Sequence, residues 1–227
     1  MIKTKLITFL AVIISAISAY AVSLDWNAFR AAHTNGFDAV EAYIDSIDET
    51  PAGFSSVEQW SIATKINLYL GSVHFGLPAA TVQQKQAQAA QLFNANKDSL
   101  KASDALQIAL RMQKYDIAAQ KLEACSNIID AAHLINYAVA CYKGEAISKD
   151  KCIEYILLAS SKNISKNHLP FITKAIVSLP KRGLDGAPFM TVDQRKEFYG
   201  NFLSLVEVSK ESREFLGICK TEYQLVK

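Results

Sequence analysis

Cys125, Cys141, Cys152 and Cys219, with His33, His74, His133 and His168, are the side chains best suited to bonding, metal ligation or proton transfer in this 227-residue chain. Four thiols allow three full disulfide pairings. Cys141 falls at the end of one predicted helix and Cys152 at the start of the next, so an antiparallel hairpin puts both at the same end. Cys125 closes the preceding helix, about 15 Å away across the layer and beyond disulfide reach. The expected bridge is therefore Cys141–Cys152, leaving Cys125 either buried and free or paired with Cys219. Cys125 and His133 lack two further ligands at zinc spacing, so no metal site is assigned. The histidines stand singly. There is no His-Glu-x-x-His, Gly-x-Ser-x-Gly, phosphate-binding glycine loop or Cys-x-x-Cys. No catalytic or cofactor-binding residue is assigned, and no cofactor is expected. An acid–base pair assembled from distant helices leaves no local signature, which keeps an enzyme reading open.

Charge is the second source of candidate contacts. The chain carries 24 Lys and Arg against 22 Asp and Glu, a near balance that gives no reason to expect nucleic acid. Its distribution is uneven. Residues 22–64 hold seven acids (Asp25, Asp38, Glu41, Asp45, Asp48, Glu49 and Glu58) against Arg30 alone. Asp38, Glu41, Asp45 and Asp48 share one stripe of a predicted helix and form a candidate acidic contact face. Lys143, Lys149, Lys151, Lys162 and Lys166 form a candidate basic one, continued by Lys174, Lys181 and Arg182. Two solvated faces are the plainer alternative. No loop-type ligand spacing supports calcium on the acidic stripe.

These side chains have to be positioned by something, and the first 21 residues are not part of it. Lys3 and Lys5 precede the apolar stretch Leu6 to Ala19, and Ala19-Tyr20-Ala21 supplies a small-x-small cleavage pattern. This predicts a signal peptide over 1–21, a start at Val22 and a periplasmic or secreted protein. The alternative is an uncleaved anchor over Leu6 to Leu24. No later segment has the length and apolarity to span a membrane.

Beyond Val22 apolar residues recur at helical spacing, as in Phe37, Val40, Ile44 and Ile47. Capping-box spacing at Ser55/Glu58 and Thr191/Gln194 marks helix starts, as do Pro78 and Pro170. Asn35-Gly36, Gly76 and Leu179-Pro180 mark stops. The pattern predicts ten or eleven helices, near 26–34, 37–48, 56–75, 79–95, 103–112, 115–126, 131–142, 150–161, 167–179, 191–208 and 211–225. The class is all-α, in one domain over 22–227. A Gly/Pro-rich break at 180–190 precedes a C-terminal helical pair, with Phe189 and Met190 expected to plug the end of the core.

The short connections imply helical hairpins. Tyr142, Gly144, Ile147, Lys149-Asp150, Lys151-Cys152, Tyr155 and Ala159-Ser160 resemble the Sel-one-like repeat, a relative of the tetratricopeptide repeat. Ala146 departs from that pattern at its second glycine. Tyr115, Ala118, Leu122 and Ala124-Cys125 resemble a more degraded copy, so the likeness covers residues 103–161. It implies a short right-handed α-solenoid of stacked antiparallel hairpins that binds a protein or peptide on its concave side; a closed irregular helical bundle is the alternative. Cysteine-rich relatives pair a helix-end cysteine with one eight residues later, where this chain has His133 instead. The expected function is an exported protein–protein interaction scaffold, with a groove along helices 103–112, 131–142 and 167–179. A cell-wall hydrolase, a membrane-tethered assembly factor and a carrier of a hydrophobic ligand are the rivals. No feature assigns an oligomeric state.

Overall fold

Helical spacing and capping residues translate directly into local structure. A computed structural model of the chain describes residues 25–164, 168–205 and 213–224. Among them are eleven α-helices and no strand. The predicted signal peptide, Lys166 and the stretch 206–212 lie outside the described residues. Contacts within the chain divide it at Met112/Gln113 into two compact units.

The first unit holds α1 (Trp26–Asn35), α2 (Phe37–Asp45), α3 (Val57–Leu70), α4 (Ala79–Asn96) and α5 (Ala102–Arg111). The sequence predicts one helix over 56–75. It is instead interrupted at Gly71 and continues as a 3-10 turn over Ser72–Phe75, ended by Gly76 at φ 70°. The expected Ser55/Glu58 cap sits one residue on: Ser56 is extended, and its Oγ accepts from the Gln59 amide at 3.1 Å. Gln59 answers with its own Oε1, which accepts from Ser55. The apolar stripe of α2 is buried through Phe37, Val40 and Ile44. Helices α1 and α2 pack together, and α3 packs on α2, α4 and α5. Trp60, Ile66, Phe93, Leu106 and Ile108 fill the interior between them.

The second unit holds α6 (Tyr115–Cys125), α7 (Ala131–Lys143), α8 (Lys149–Ser160), α9 (Leu169–Val177), α10 (Val192–Leu205) and α11 (Arg213–Gln224). Helix α7 packs on α6, α8 and α9, while α8 packs on α10. Helix α11 packs on α9 and α10. Thr191 and Gln194 form the expected reciprocal cap, each side chain accepting from the other's amide at 2.9 and 3.2 Å. Pro170 occupies the first turn of α9.

Helix α7 ends in a Schellman motif: Ala146 donates to the Cys141 carbonyl and Glu145 to that of Tyr142, each at 2.9 Å. The left-handed residue of such an ending is usually glycine, but here it is Glu145 at φ 59°. The glycine stands one position earlier for a different reason. A Cβ on Gly144 would lie 2.2 Å from the Tyr115 ring, so α6 closes on the α7–α8 connection only where no side chain stands.

Candidate functional site

The break at 180–190 is an ordered loop. The Gly183 amide donates to the Ala187 carbonyl at 2.8 Å and the Phe189 amide to that of Lys181 at 3.1 Å. Tyr142 on α7 holds the loop through its hydroxyl, which accepts from the Leu184 amide at 2.7 Å. Lys149 on α8 adds an ion pair to Asp185 at 2.7 Å. Phe189 is 2% exposed and rests against the Tyr142 ring at 5.4 Å, with Met190 buried beside it, so the expected plug is present.

One side of this loop forms the wall of a cleft of about 560 Å3. Ile176, Val177 and Leu179, at the end of α9, supply a second apolar wall, and Ile218 of α11 a third. Polar groups share the lining with them. Arg195 of α10 and Glu222 of α11 pair across it at 2.7 Å. Tyr199 lines it beside them, its hydroxyl pushed up to about 12 by burial and the Glu222 charge. Lys181 stands at the margin, exposed. Large apolar side chains around the loop are left in water: Val177 is 69% exposed, Leu184 60% and Val192 53%.

The predicted contact faces are partly consumed within their own units. Glu41 pairs with Lys85 at 3.1 Å and accepts from the Tyr69 hydroxyl. Lys85 lies 4.8 Å from both the Phe37 and Tyr69 ring centres, a cation held by one carboxylate and two aromatic faces. Asp45 pairs with Lys65 at 2.5 Å. Of the four acids on the stripe, Asp38 and Asp48 remain without an ion pair among the described residues. On the basic side Lys149 is held by Asp185, and Lys151 by Glu154 at 2.8 Å over the Tyr155 ring. Lys162 donates to the Asn127 carbonyl at 2.8 Å. Lys143 is exposed.

All four cysteines are buried, and Cys141 and Cys152 are not joined to each other, so the expected bond between them is not formed. Hairpin geometry does bring these two together: burial and the neighbouring Cys141 push the Cys152 thiol up to about 12, and burial pushes Cys141 up to about 11. Both side chains sink into the hairpin core, fully shielded from water, rather than meeting in bonding geometry at its end. Buried thiols this hard to ionise are poor nucleophiles and poor metal ligands. Among the described residues no group of three or more His, Cys, Asp or Glu is placed to hold a metal.

Two titratable sites escaped the sequence reading. Asp104 opens α5, and burial raises its carboxyl to about 6. Its Oδ2 is buried with no hydrogen-bond partner. Asp130 caps α7, accepting from the Ala132 and His133 amides, and its other oxygen meets His133 Nδ1 at 2.5 Å. That hydrogen bond lifts the His133 pKa against the effect of burial. Burial works to raise Asp130, yet bonding to His133 holds it below the usual carboxylate range. An N-cap Asp three residues before a His was a readable signal for this pair.

The groove expected along 103–112, 131–142 and 167–179 is not where the cleft lies; only the end of the last helix contributes to it. No protein-family model matches the chain, and neither a curated protein nor a solved structure is significantly similar to it. No helix among the described residues is long and apolar enough to cross a membrane.

Proposed function

We propose that this chain is an exported, all-helical protein-interaction module whose contact site is the cleft of the second unit. The observation that carries this reading is the cleft's make-up, apolar side chains of α9, the loop and α11 beside the Arg195–Glu222 pair and Tyr199, together with exposed Val177, Leu184 and Val192 around the same loop. Apolar anchors entering a desolvated pocket supply most of the energy of a protein contact, and exposed large apolar side chains mark surfaces that await a cover. The pairing of α7 with α9 and of α8 with α10 supports hairpins stacked in the manner of a short helical solenoid. Export rests on residues 1–21. A photo-crosslinking amino acid at Val177, compared with one at the exposed Gln84 of α4, tests the reading in the living cell. One discrete partner trapped from position 177 and not from 84 is expected. Equal labelling from both positions, or none from either, refutes it.

The hydrolase rival needs a raised-pKa acid in a cleft. Asp104 has the raised pKa but belongs to the first unit, and the second unit's cleft is not lined by it.

A further inference from the structure

The first unit buries two polar atoms of opposite kind that find no partner among the described residues. Trp60 on α3 is 1% exposed, and its Nε1–H, a group that can only donate, is unbonded. Asp104 on α5 buries an Oδ2 that accepts from nothing. Either atom alone is a cost to folding, because buried polar groups are bonded almost without exception.

Helix register brings the two together. Helices α3 and α5 run in the same direction. Gln59, at the start of α3, donates to the Ser99 carbonyl just ahead of α5, and Arg111, at the end of α5, donates to Asn67 in the last turn of α3. Seven residues before Asn67 stands Trp60, and seven before Arg111 stands Asp104. Seven residues are two turns, about 10.5 Å along the axis, and return to the same face. Donor and acceptor therefore share one level of the α3–α5 interface, where Ala63, Ala105 and Ile108 are also buried. They do not bond each other, so the gap between them is wider than one hydrogen bond.

We propose that a single buried water molecule bridges them, accepting from Trp60 Nε1–H and donating to Asp104 Oδ2. Water offers an acceptor to one atom and a donor to the other, brings no charge into the core, and needs only about 10–15 Å3. It serves a protonated carboxyl equally well, by accepting from it. The charged and titratable groups around Asp104 are engaged elsewhere or exposed. On its own helix, the Lys101 ammonium reaches the Gly53 carbonyl and Arg111 is held by Asn67. On α3, Glu58 is exposed, Lys65 pairs with Asp45, and the Tyr69 hydroxyl donates to Glu41.

Nitrogen-15 NMR of the indole groups in the full chain tests this. Trp26 and Trp60 are the two tryptophans, and Trp60→Phe assigns the resonance. The Trp60 Nε1–H is expected to show a nuclear Overhauser peak to a long-lived water and to shift with a midpoint near 6, following the Asp104 carboxyl. Asp104→Asn should abolish the shift, and Asp104→Leu the water peak, with thermal melts confirming that each variant folds. A Trp60 resonance that stays flat while the carboxyl titrates, or that still titrates in Asp104→Asn, overturns the proposal. So does a shift without a water peak, which means that indole and carboxylate meet directly, and so does a water peak that survives in folded Asp104→Leu.

Discussion

Asp104 and the Asp130–His133 pair bring opposite consequences for pH at the scale of single residues. A carboxyl raised from 3.8 to about 6 by burial is tolerated best when protonated. Its stability contribution is full below the unfolded value and is lost as pH rises through about 6. Asp104→Asn removes the charge and keeps the shape. It should stabilise the protein by about 1–2 kcal/mol at pH 7.5 and by little at pH 4, in urea denaturation. A gain that persists at pH 4 refutes this account. His133 has a raised folded pKa, so its contribution is present below 6.5 and fades as pH rises through its folded value. Asp130 is depressed, so its contribution is present above 3.8 and lost on acidification. Both hold together from roughly pH 4 to 6.5. His133→Gln should cost about 0.5–1 kcal/mol at pH 5.5, a modest figure because both side chains are 38–40% exposed. The loss should shrink at pH 9. None of this was visible in the acidic stripe singled out from sequence, because Glu41 finds Lys85 from 44 positions away. Spacing reports the face a charge occupies, not the partner that another helix delivers to it.

Helices were the most legible level, because each carries its own periodicity and caps, and tertiary packing did not override them. The errors came where one residue of flanking polarity was ambiguous. Ser55 and Ser56 are both able to cap, and Ser56 wins by standing three residues before Gln59, whose side chain can return to Ser55. Gly71 broke a predicted helix because its neighbours alone keep the apolar period. The α7 ending makes a sharper case. Gly144→Ala drives a methyl into the Tyr115 ring and should cost about 2–4 kcal/mol. The next position should respond in reverse: Glu145→Gly relieves a left-handed residue and should gain up to about 1 kcal/mol. On a Tyr115→Ala background the Gly144→Ala penalty should largely vanish. An undiminished penalty there would place its origin in the backbone instead of the ring.

At the scale of the whole molecule, the fold class was legible and the site was not. The cleft is assembled from α9, the 180–190 loop, α10 and α11, and no local pattern spans them. What the sequence did hold was Phe189 and Met190 in a loop otherwise rich in Gly and Pro, a combination that signals a loop with its own core contact. The expected export makes a direct prediction. Intact mass and N-terminal sequencing of the protein from its native compartment should find a start at Val22; a chain beginning at Met1 favours the tethered alternative. Alkylation in the same experiment counts thiols. The structure predicts four, unreactive until the protein is unfolded, whereas two would mean that oxidation has joined Cys141 to Cys152.

The loop that walls the cleft hangs from the α7–α8 hairpin by two tethers, the Tyr142 hydroxyl and the Lys149–Asp185 pair. Space around the anchor is tight, since a Cβ on Gly183 would sit 2.5 Å from Asp185 and 3.0 Å from the Tyr142 oxygen. Occupancy and hairpin integrity thereby become two readings of one equilibrium. A bound partner that holds the wall closed must slow deuterium uptake at the Leu184 amide, and by reciprocity a weakened tether must weaken the partner. Tyr142→Phe, whose ring still packs on Phe189, therefore offers a dial on affinity from outside the contact surface.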